Sequence, residues 1–214
     1  TKTLRLLPKH NRIVIEGVGG SDSYGTSPIP TKAEGRKRFP YAKTQLFWDG
    51  EEGGTLMRLS CSGFQIRDVS FLGSGKAGIL LDIDSLPGHG VGRGALDRMA
   101  FTNAEVGMRC GLSRKGCAAD MTMTDLNFRF LKTGFQTLDM QNVDHIFIRP
   151  RFMNTDLCMH FKAGGNAEAH SLFAIAGVKE IVRIDSGGIN AGTFFFSNMR
   201  IDHCGRKRAV ILRA

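Results

Sequence analysis

Three stretches, Ile66-Arg67-Asp68-Val69-Ser70-Phe71, Leu96-Asp97-Arg98-Met99-Ala100-Phe101 and Met123-Thr124-Asp125-Leu126-Asn127-Phe128, share one pattern, apolar-x-x-apolar-x-apolar. Degraded at one position each, the pattern continues as Phe147, Pro150, Phe152 and as His170, Phe173, Ile175, and it returns intact as Phe196, Met199, Ile201. Its last column therefore reads Phe71, Phe101, Phe128, Phe152, Ile175, Ile201, with members 23 to 30 residues apart. Self-similarity at such a period is the mark of a solenoid, in which each repeat buries its apolar side only by stacking on its neighbours.

Working outward, each hexapeptide is followed after a turn by a second apolar segment. These are Ile79-Leu80-Leu81-Asp82-Ile83, Val106-Gly107-Met108-Arg109-Cys110, Phe135-Gln136-Thr137, Leu157-Cys158-Met159-His160-Phe161 and Val182-Arg183-Ile184. Alternation over four to six residues is strand periodicity, because side chains i and i+2 share a face. A leucine-rich repeat has a similar strand but wants Asn or Cys three residues beyond the last apolar site and a helix in its second half. Here those sites hold Ser74, Ala104, Leu131, Thr155, Val178 and only once Cys204. The pattern predicts an all-β, right-handed parallel β-helix of about seven coils with minimal helix, a single domain over residues 1–214.

Composition agrees with a globular chain: 214 residues, 42% hydrophobic and 23% charged. The 27 Gly against 6 Pro point to many tight turns. No apolar run reaches the length that spans a membrane, and no export signal is visible at the start. The five cysteines show no Cys-x-x-Cys pair, so they read as reduced core residues without a metal site. A net charge of +9 predicts a polyanionic partner, without choosing among acidic polysaccharide, nucleic acid and membrane surface. Nucleic acid is disfavoured because the aromatic residues, 8% of the chain, fall mostly in the core columns rather than among the basic ones.

Between the strand at Ile13-Val14-Ile15 and that at Thr44 to Trp48 lies a long loop, residues 21–43, carrying Lys32, Arg36, Lys37, Arg38 and Lys43. Arg36, Lys37 and Arg38 are candidate contacts for a polyanion. Both ends are strand-like and neither carries a cap, which predicts further coils or other chains, such as those of a homotrimer, covering them. Leu80, expected on the outer face, would add an apolar contact for such an assembly.

With the repeat, and with Ile15-Glu16-Gly17-Val18-Gly19-Gly20 followed by Thr44-Gln45-Leu46, the chain resembles the pectate-lyase-like superfamily of right-handed β-helix proteins. That superfamily holds polysaccharide lyases, glycoside hydrolases, phage tail spikes and extracellular adhesins. The resemblance implies an extracellular or virion-associated protein that binds, and as an enzyme would cleave, an acidic polysaccharide. The alternative it implies is a non-catalytic structural or adhesive segment. Asn198-Met199-Arg200-Ile201-Asp202-His203-Cys204 is similar to a pectate-lyase stretch, but Arg200 replaces its Trp and Gly205-Arg206-Lys207-Arg208 replace the acidic residues that would hold calcium. Met199 and Ile201 then read as core columns, and no calcium ligand set or other cofactor is expected. Asn154-Thr155-Asp156 and Gly88-His89-Gly90 are similar to two polygalacturonase motifs in reversed order, without the pair of carboxylates that glycoside hydrolysis needs.

The second strand carries the clearest chemistry. With Met57, Leu59, Leu81, Ile83, Met108, Cys110, Met159, Phe161, Val182 and Ile184 inward, Arg58, Asp82, Arg109, Gln136, His160 and Arg183 face outward on six successive coils. Stacked about 4.8 Å apart, they form a mainly cationic ladder, with Lys162 and Asp185 at its edge, suited to an acidic glycan. As catalysts, His160 or Lys162 would abstract a proton beside a carboxylate while Arg109 or Arg183 neutralises the developing charge. Arg58, Asp82, Gln136 and Asp185 would bind substrate. Because ladder residues are expected to be exposed, truncating Arg109, His160 or Arg183 is expected to cost less than about 0.5 kcal/mol.

Overall fold

A computed structural model describes residues 2–18, 44–86, 89–111, 118–138, 143–163, 166–185 and 192–202, and the backbone of 210–213. It is 64% strand and 2% helical. After β1 (Leu4–Leu6), each coil crosses three faces in turn. The strands are β2 (Val14–Glu16), β3 (Gln45–Phe47) and β4 (Thr55–Leu59); β5 (Gln65–Arg67), β6 (Ser70–Leu72) and β7 (Ile79–Ile83); β8 (Val91–Asp97) and β9 (Ala100–Cys110). They continue as β10 (Ala118–Thr124) and β11 (Asn127–Leu138); β12 (His145–Ile148) and β13 (Arg151–Ala163); β14 (Ala167–His170), β15 (Phe173–Ile175) and β16 (Glu180–Ile184); β17 (Phe194–Ser197), β18 (Arg200–Asp202) and β19 (Val210–Arg213).

Every strand pairing is parallel. The first face is a seven-stranded sheet in the order β17-β14-β12-β10-β8-β5-β2. The second and third faces share a twelve-stranded sheet, because β9, β11 and β13 each bend round a corner and serve both. The result is a parallel β-solenoid of about five turns, from β5 to β16, flanked by the strand sets β2–β4 and β17–β19, whose connecting segments lie partly outside the described residues. The sequence estimate of about seven counts those flanking sets.

The hexapeptide proves to be the corner between the first two faces. Ile66 and Phe71 point inward from adjacent faces, and Val69 fills the corner between them. The corner residue takes a left-handed backbone, with φ of 57° at Asp68, 49° at Arg98, 52° at Asp125 and 54° at Arg149. Its N–H donates to the next coil, as from Asp68 to the Asp97 carbonyl at 3.1 Å and from Asp125 to that of Ile148 at 2.9 Å. Parallel stacking brings unlike charges together at this corner. Arg98 clamps Asp68 at 2.8 and 2.7 Å, and Arg149 clamps Asp125 at 2.8 and 2.7 Å. Asp tolerates a left-handed backbone better than Arg does, so the ion pair offsets part of the strain at Arg98 and Arg149.

Inside, the Phe column is a stack, with ring centroids 5.3 Å apart for Phe71–Phe101, 5.1 Å for Phe101–Phe128 and 4.8 Å for Phe128–Phe152. The next member is Ala174, which pairs with Phe152, so Ile175 is not in the column. The repeat there reads Ala169, Leu172, Ala174, all fully buried, one residue ahead of the expected His170, Phe173, Ile175. A search for bulky apolar residues slips past small ones, and a one-residue slip exchanges the two faces. Leu80 is likewise corrected, since it is fully buried rather than on the outer face. Met199 and Ile201 hold column positions but are 37% and 40% exposed. Gly107 and Gly134 are two of the four described glycines that sit in strands, not turns. A Cβ at Gly107 would stand 2.9 Å from the Phe128 ring, and one at Gly134 would stand 2.6 Å from the Phe152 ring. Cys61, Cys110 and Cys158 are buried free thiols.

Polar residues also occur at inward positions, and one of them is ionisable. His145 on the first face is fully buried against the edge of Phe135 at 5.7 Å, and neither ring nitrogen has a hydrogen-bond partner. Burial pushes its pKa down from 6.5 to about 3. The unfolded chain therefore takes up a proton that the folded chain refuses, so stability is full above pH 6.5 and falls as pH drops towards 3. Through this residue stability should fall by about 2 kcal/mol between pH 7.5 and pH 5. Denaturant melts at the two pH values check this. His145→Leu should remove that part of the difference, and an unchanged difference would show that other groups carry it.

Candidate functional site

The strand register of the third face sets its outer residues in one column, Arg5, Arg58, Asp82, Arg109, Gln136, His160 and Arg183, and the backbone of Arg213 pairs in the same register. The expected six rungs are all present and in order, and Arg5 extends them. Their charges are arranged otherwise than expected. The side chain of Asp82 is fully buried between two arginines. Arg58 donates to it from Nε at 2.9 Å, and Arg109 donates from Nε at 2.9 Å and Nη2 at 3.0 Å. Arg58, Asp82 and Arg109 thus form a closed ionic sandwich. Arg109 is only 15% exposed and is committed to Asp82.

The next three rungs, Gln136, His160 and Arg183, line an open groove of about 480 Å³. Thr133, Leu157 and Glu180, which form a second column on the same three coils, line it too, together with Lys132, Asp156, Lys162 and Lys179. The volume lies within the range of small-ligand sites. Lys179 pairs with Asp156 at 2.8 Å, and Lys132 pairs with Glu105. Arg183 donates from Nε to Glu180 at 3.0 Å and makes a second bond to it through Nη2. Lys162 alone among these cations has no ion-pair partner among the described residues.

His160 is 8% exposed, and its Nε2 lies 3.1 and 3.2 Å from the two oxygens of Asp185. Burial lowers its pKa below 6.5, Asp185 partly restores it, and Lys162 and Arg183 lower it again. The imidazole is accordingly neutral at pH 7, with Nε2–H donated to the carboxylate. Four cations, Lys132, Lys162, Lys179 and Arg183, are then matched by four carboxylates, Glu105, Asp156, Glu180 and Asp185.

The structure therefore gathers five of the sequence candidates, Gln136, His160, Lys162, Arg183 and Asp185, and places Arg58, Asp82 and Arg109 apart from them. Arg36, Lys37 and Arg38 lie outside the described residues, as does His203. Asp202 ends β18 and His89 is exposed. Sequence reading missed Lys132, Thr133, Asp156, Leu157, Lys179 and Glu180. Lys132, Thr133 and Asp156 precede the alternating segments and reach this face along the long, bent strands β11 and β13, Leu157 was read only as a strand residue, and Lys179 and Glu180 lead into β16. Among the described residues, no group of three or more His, Cys, Asp and Glu could hold a metal ion, and no helix is long and apolar enough to cross a membrane. Comparison with protein-family models, with curated proteins and with solved structures finds no match.

Proposed function

We propose that this solenoid is of the pectate-lyase-like kind and binds an acidic polysaccharide along its third face, outside the cell or on a virion. The observation that carries the reading is the groove at Gln136, His160 and Arg183, where successive coils present polar rungs to an open site beside Lys162, which has no ion-pair partner among the described residues. Rungs of a parallel stack lie about 4.8 Å apart, a pitch that suits the repeat of an extended sugar chain. Titration with polygalacturonate, alginate and dextran sulfate tests it. Lys162→Ala is the informative variant, because the side chain is exposed and its loss leaves stability within about 0.5 kcal/mol. A screened ionic contact is worth about 0.2–1 kcal/mol, so affinity should drop about two- to fivefold and depend less on salt. Absence of binding to every polymer would overturn the reading.

The lyase form of this proposal uses the neutral His160 as the base, with Arg183 and Lys162 beside the substrate carboxylate. It requires an ultraviolet-absorbing unsaturated product from a uronate polymer. A second reading, a structural or adhesive segment that assembles with further coils or as a homotrimer, is favoured by the Arg58–Asp82–Arg109 sandwich, whose charges are spent within the fold.

A further inference from the structure

We propose that protonation of His160 switches the groove to anion capture, so that it takes up an acidic polysaccharide under mildly acidic conditions and releases it near neutrality. The inference rests on the binding reading above and concerns the regulation of that site.

The groups facing His160 are Lys132 and Gln136 from β11, Asp156 and Lys162 from its own strand, Lys179, Glu180 and Arg183 from β16 and the turn before it, and Asp185 beyond β16. Around a neutral imidazole these four cations meet three carboxylates, and Glu105 of β9, paired with Lys132, is the fourth, so charges balance and an anion arriving at pH 7.5 meets no net attraction. The proton matters twice. It supplies the one charge that tips the balance, and it changes what the ring can bond. With Nε2–H held by Asp185, the neutral ring has only a lone pair at Nδ1, which repels an anion. The imidazolium donates from both nitrogens, so Asp185 keeps Nε2–H while Nδ1–H becomes a donor for the ligand. Asp185 is 45% exposed, which screens its competition for the new charge.

The sign follows from linkage. A bound anion favours the imidazolium and raises the His160 pKa, so binding must tighten as pH falls below the ordinary histidine range. A rise of about one unit makes affinity about fivefold greater at pH 5.5 than at pH 7.5.

Dextran sulfate is the probe, because its sulfates stay ionised across this interval, and circular dichroism confirms the fold at both pH values. The wild type should show the fivefold ratio, and His160→Gln should bring it to about one. The His160 imidazole, followed by NMR, should titrate about one unit higher with the polymer bound. Asp185→Asn, which removes the carboxylate that favours the charged ring, should move the rise in affinity to lower pH. Binding with a flat pH profile, a fivefold ratio that survives in His160→Gln, or an unmoved imidazole titration would each overturn the switch while leaving the binding reading intact. No binding of dextran sulfate at either pH would overturn the switch, and the binding reading falls with it when polygalacturonate and alginate also fail to bind.

Discussion

Phe128→Ala lowers the unfolding free energy by about 3–5 kcal/mol, with the denaturant slope unchanged, in a urea melt followed by circular dichroism. Phe128 is fully buried and stacked on both sides, against Phe101 at 5.1 Å and Phe152 at 4.8 Å. The cost falls at the upper end because the site cannot collapse. Hydrogen-bonded strands hold each coil at a fixed height, so the coils above and below cannot close over the missing ring. Phe128→Leu, which conserves most of the volume, should cost less than about 1.5 kcal/mol. A loss below that figure for the alanine variant would mean that the column is not packed as described.

Asp82→Ala should cost about 3–5 kcal/mol, although the residue lies on the outer side of its strand. Its carboxylate is fully buried, and removing it leaves Arg109, only 15% exposed, facing Arg58 without the anion between them. By the same argument Arg109→Ala is clearly destabilising, against the sequence expectation of near neutrality, because it exposes one side of a buried charge. Arg183→Ala behaves likewise by removing the arginine that is paired with the buried Glu180. Replacing the whole sandwich, as Arg58→Met with Asp82→Leu and Arg109→Met, should recover most of the loss, since an apolar cluster of similar size avoids desolvating three charges. Thermal melts of the single and triple variants decide the matter. Equal destabilisation by both would show that side-chain shape rather than ion pairing holds the rungs.

The architecture was legible because a solenoid writes its cross-section into the chain once per coil. Ile66, Val69 and Phe71, then Leu96, Met99 and Phe101, occupy the same places in space, so the period alone places them. Where the column residues shrink to Ala169 and Ala174, the same reading slipped by one residue, since nothing local distinguishes a small core residue from a turn. The order of the ladder from Arg58 to Arg183 was legible for the same reason: in-register parallel pairing turns a position within the repeat into a position in a column.

The chain by itself thus determined which residues share a column, because that depends only on the repeat length and on two-residue alternation. What those residues do was decided by tertiary structure. Whether Asp82 is a free ligand-binding carboxylate or the buried centre of a sandwich depends on the arginines that two other coils place against it. Whether His160 stands alone depends on Asp185, which lies 25 residues further on and is brought to 3.1 Å by one complete turn of the solenoid. Charge in a sequence is additive, whereas in a stacked sheet each charge is set by its neighbours above and below. A column that sums to a cationic ladder therefore folds into closed ion pairs and one nearly neutral groove, poised on the protonation of a single imidazole.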